Sequence, residues 1–66
     1  MPVDFNNRDE DGAVRLITRG TLSWLKEHAL LLSDGQPIRI TDGELIAEAL
    51  VKERNGYWVA TVVGYL

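Results

Sequence analysis

Two turn dipeptides constrain this chain more than any other feature, because they place the same side chains on the same sheet face. Asn55-Gly56 supplies the positive φ angles of a two-residue hairpin loop. With that loop in place Arg54 faces Tyr57, Val51 faces Ala60, Ala49 faces Val62 and Leu45 faces Leu66. One face then carries Leu45, Ala47, Ala49 and Val51 beside Trp58, Ala60, Val62, Gly64 and Leu66, apolar along nearly its whole length. Reading Asp42-Gly43 in the same way sets Ile40 against Leu45 and Ile38 against Ala47, and adds both isoleucines to that face. A one-residue slip in either hairpin would turn an apolar set toward solvent, so two turns that agree define a core.

A helix competes for the same residues. Thr41-Asp42-Gly43-Glu44 has the form of a capping box, ELIAEALVKER is rich in helix formers, and Asn55-Gly56 would serve as a helix C-terminus. Gly43 in the first turn and the agreement of the two hairpin registers favour strands. Upstream, the alternation of residues 13–18 (AVRLIT) predicts a strand. Residues 21–28 (TLSWLKEH) predict a short helix opened by Thr21, which covers the sheet with Leu22, Leu25 and Leu30. The fold class expected is α+β, mainly antiparallel: a three- to four-stranded meander or an SH3-like partial barrel with one short helix.

Size and charge narrow the rest. Sixty-six residues, 45% apolar and 26% charged, make one small domain, and without cysteine it has neither a disulfide framework nor a thiolate zinc site. The net charge of -3 is not spread evenly. Residues 1–12 hold four acids against Arg8 alone, whereas the remainder is balanced, so 1–12 read as a flexible acidic leader and 13–66 as the domain. No basic start followed by an apolar run marks a secretory signal, and no stretch approaches the length of a membrane span. The default location is the cytoplasm.

GTLSWL, LLLSDGQPIRI, DGELIAEALV and NGYWVATV, in that order over about residues 20–63, resemble a pattern found in a group of small bacterial proteins. It consists of a GTL-x-x-L opening, an acidic-Gly-x-Pro turn into a strand, a Glu-Leu strand and a Gly-x-Trp-Val-Ala closing strand. The resemblance implies strands and attaches no activity. The short Asp42-Gly43 connection and the Val62-Val63-Gly64-Tyr65 ending depart from it.

Reactive groups are sparse. Asn7, Asp9, Asp11 and Gly12 occupy the first, third, fifth and sixth places of a calcium loop, but the twelfth is Thr18 where a bidentate glutamate belongs. His28, the single histidine, has Ser23, Ser33 and Asp34 near it in sequence, without a nucleophile-elbow motif. Arg15, Arg19, Lys26, Arg39, Lys52 and Arg54 are dispersed among equal numbers of acids, which argues against a polyanion surface and makes nucleic acid an unfavoured partner. No catalytic, cofactor or metal residues are assigned. The second sheet face remains: Ile46, Leu50, Tyr57, Val59, Val63 and Tyr65 share it with Arg39, Glu48, Lys52 and Thr61. This face is either covered by the chain itself or is a contact surface for a protein partner or a second copy. The expected function is a non-catalytic interaction or regulatory module, with self-association open. The alternatives are a weak nucleic-acid-binding barrel and an acidic inhibitor or antitoxin-like partner of a basic protein.

Overall fold

The computed structural model describes all 66 residues. Its elements are β1 (Val14–Arg15), α1 (Arg19–Glu27), β2 (Pro37–Thr41), β3 (Ile46–Arg54) and β4 (Tyr57–Tyr65). The strands form one antiparallel sheet in the order β1-β4-β3-β2. No helix is long and apolar enough to cross a membrane.

Residues 46–54 are a strand despite their helix propensity. The strand buries Ala47, Ala49 and Val51 on one side and exposes Ile46, Glu48 and Leu50 on the other, a period of two that a helix cannot satisfy. At the Asn55-Gly56 end the register is the expected one, with φ of 50° and 89° at the two turn residues. The Asp42-Gly43 connection is longer than two residues. Asp42 Oδ1 accepts from the amides of Glu44 and Leu45, the loop runs over residues 42–45, and Ile40 pairs with Ala47 rather than Leu45. Because the displacement is two residues, Ile38 and Ile40 keep their face.

A β-bulge has the opposite effect at the far end of β4. Ala49 pairs with Val62 but Glu48 pairs with Gly64, so Val63 is the extra residue and the alternation beyond it inverts. Tyr65 therefore faces Ala47 and lies on the core side, its ring 5.8 Å from that of Phe5. Its expected place on the second face is corrected accordingly.

Residues 1–12, expected as a loose leader, are tied to the sheet at both margins. The Met1 amine donates to Arg39 O, Thr41 N to Met1 O and Val3 N to Thr41 O, lining the outer edge of β2. Residues 7–9 line the outer edge of β1, where Arg15 N donates to Asn7 O and Asp9 N to Ala13 O. Between these margins the chain crosses the core face. Val3 and Phe5 are buried there with Val14, Leu16, Ile40, Ala47, Ala49 and Ala60. Burying a side chain of this kind contributes roughly 1.5–3 kcal/mol, enough to hold a stretch whose average composition is polar.

The crossing segment takes over the role expected of the helix. α1 starts two residues earlier than the sequence suggests, capped by Thr18, whose Oγ1 accepts from Thr21 N. Thr21 itself is buried, and its hydroxyl donates to Pro2 O at 2.7 Å, which anchors α1 to the crossing segment. Leu22 points to solvent, while Leu32 packs on the core from the loop that follows. The helix ends in a Schellman arrangement, Leu30 N to Leu25 O and Ala29 N to Lys26 O, with Ala29 at φ 48°.

Candidate interaction face

The second face of the sheet divides into two ends. At the end nearest the β3–β4 turn, the loop between residues 7 and 13 brings two carboxylates over Tyr57. Asp9 Oδ1 accepts from Arg15 Nε, and Asp9 Oδ2 accepts from the Arg54 guanidinium at 2.9 Å and from the Tyr57 hydroxyl at 2.8 Å. Asp11 receives the same guanidinium through both oxygens, at 3.0 and 2.7 Å. Asn7 completes the set by accepting from Arg15 at 3.2 Å.

Three donors on one carboxylate favour its charged form. The hydrogen bonds from Arg15, Arg54 and Tyr57 lower Asp9 from an ordinary 3.8 to about 2. Arg54 and the Ala13 amide likewise hold Asp11 low, and the Asp9 carboxylate raises the Tyr57 phenol. Val59 sits between Lys52 and Arg15 across the sheet, two residues from Tyr57, and is fully buried. Neither Tyr57 nor Val59 is thus free for a partner: the first has its hydroxyl committed to Asp9 and the second is out of reach.

The other end is open. Ile46 is 43% exposed, Leu50 40% and Val63 68%, and no helix lies over them. Leu45 and Leu66 are exposed at the same end of the sheet. Arg39 on β2 and Glu48 on β3 form an exposed ion pair at 2.9 Å among these side chains. Of the six residues expected on this face, Ile46, Leu50 and Val63 form its open surface, Tyr57 and Val59 lie under the ionic cluster, and Tyr65 faces the core. The Asp9 cluster was not assigned from sequence; the clue available was an acidic stretch in a chain whose remaining charge is balanced.

The other groups singled out are occupied structurally. His28 Nδ1 donates to Trp24 O at 2.9 Å, with its ring stacked on Trp24 at 4.0 Å. Asp34 Oδ1 accepts from the Glu53 amide, fastening the loop before β2 to the end of β3. Asp9 and Asp11, the carboxylates of the calcium-like spacing, are turned to arginines. Three of the six cations of residues 13–66, Arg15, Arg39 and Arg54, are paired with acids. Comparison with family models, curated proteins and solved structures returned no match.

Proposed function

We propose that the protein is a non-catalytic cytoplasmic interaction module, a partial barrel of SH3-like kind that self-associates through the open end of its outer sheet face. The observation that carries this reading is the exposed set Ile46, Leu50 and Val63 around the Arg39–Glu48 pair. Exposed aliphatic side chains gathered on one sheet face mark a contact surface. One cation beside one anion suits a second copy best, because a two-fold axis sets Arg39 of each protomer against Glu48 of its partner. An acidic inhibitor role has less support, since Asp9 and Asp11 are matched within the fold.

Solution mass as a function of concentration tests the reading. The expected result is a rise from monomer to dimer mass, abolished in Leu50→Lys with the circular dichroism spectrum unchanged. A mass that stays monomeric at millimolar concentration overturns it, as does a Leu50→Lys protein that associates like the parent.

A further inference from the structure

A second surface, on α1 and separate from the sheet face, is built differently. Ile17, Arg19, Leu22, Ser23 and Lys26 line a shallow concavity of about 540 Å³. Arg19, Leu22, Ser23 and Lys26 are three and four residues apart, so they share one helix face. Ile17 and Leu22 are about half exposed, although both are large aliphatic side chains. Arg19 and Lys26 enter no ion pair, whereas Arg15, Arg39 and Arg54 all do. The helix has one acid, Glu27, which is not among the residues lining the concavity.

The result is an apolar floor with an unneutralised cation at each end. Seven residues of helix separate the cations by about 10 Å. A peptide in polyproline II conformation covers the same span in about three residues at roughly 3.1 Å each, and its three-residue turn sets the first and fourth side chains on one side. We propose that this concavity binds an acidic peptide segment in which two carboxylates, three residues apart, flank aliphatic side chains: the carboxylates meet Arg19 and Lys26, and an aliphatic side chain settles on Ile17 and Leu22. Charge complementarity selects this occupant, because nothing in the lining is negative. A peptide fits better than an anionic bilayer, since two separated cations match two separated charges, whereas a negative bilayer is recognised by a larger basic cluster.

The test is an amide-shift titration of the full chain by nuclear magnetic resonance, using a capped glutamate-leucine-leucine-glutamate peptide. The same peptide with lysine for glutamate, and phosphatidylglycerol vesicles, serve as the other probes. The expected result is saturable shifts confined to residues 17–26 and weakened by salt. In Arg19→Glu/Lys26→Glu, binding should be about tenfold weaker, as two attractions become repulsions. Leu22→Ser, which leaves both cations and removes exposed apolar surface only, should also weaken it. Absent shifts, equal shifts with the lysine peptide, or binding to the vesicles but not to the peptide would each overturn the proposal. So would variants that bind like the parent.

Discussion

The two ends of the outer sheet face share the strands β3 and β4, yet one is sealed and the other open. Val59 and Leu50 make the contrast concrete: both are aliphatic, both point away from the core, and the first is fully buried while the second is 40% exposed. What differs is whether another segment reaches that end. The loop carrying Asp9 arrives over Tyr57, and no helix lies over Leu50. Exposure on a sheet face is thus decided by the chain that crosses it, more than by the hydrophobicity of the residues on it.

The largest test of this comparison replaces one residue at each end by lysine. Val59→Lys should abolish cooperative folding, because an ammonium in a dry site costs several kcal/mol. Leu50→Lys should shift stability by no more than about 0.5 kcal/mol. Denaturant melts of the two proteins decide it, and similar losses would show that the two ends are not differently sealed. A milder pair sharpens the scale. Val59→Ala should cost about 2 kcal/mol, and Leu50→Ala should cost a few tenths.

Acid titration comes next in size. A carboxylate held low in the folded state takes up its proton first when the chain unfolds, so its stabilisation is complete above its ordinary value and lost as pH falls through the folded one. For Asp9 that window runs from about 4 down to about 2. Thermal melts should show the parent losing stability over this window more steeply than Asp9→Asn. At neutral pH, Asp9→Asn should melt several degrees lower, whereas Glu48→Gln at the open end should melt with the parent. Tyr57 offers the alkaline counterpart, with the opposite sign. Its phenol is raised by Asp9, so its contribution is present below the ordinary tyrosine value and fades as pH climbs past the folded one. Tyr57→Phe should remove the late component of the spectroscopic tyrosine titration.

A last substitution lies outside both ends and serves as a control. Ala29 holds a left-handed conformation at the helix C-terminus that glycine adopts without cost. Ala29→Gly should raise stability by about 0.5–1 kcal/mol in chemical denaturation, with association unchanged.

These contrasts follow the line between what was legible in the sequence and what was not. Face assignment in β2 and β3 survived a wrong loop length, because a shift of two residues preserves alternation: Ile38 and Ile40 reach the core through a four-residue loop as they would through two. Tyr65 was not legible, since one extra residue at Val63 inverts everything beyond it and no local signal marks the bulge. The first twelve residues were misread for a different reason. Their composition is polar on average, but Val3 and Phe5 act individually, and the partners of Asp9 and Asp11 include Arg54, more than forty residues away. Averages over a window see neither. The outward placement of Ile46 and Leu50, in contrast, depended only on the alternation of β3, whereas whether the chain covers them was not legible in the sequence.

The crossing segment has a consequence for the order in which the fold is made. Val3 and Phe5 leave the ribosome long before the strands they seal, and the tyrosine that meets Phe5 is sixty residues further along. During synthesis the segment has no surface to rest on until β2 and β4 have both emerged, so its closure belongs to the last step of folding. A nascent chain truncated within β4 should therefore expose its amino-terminal residues to a protease that the finished protein resists.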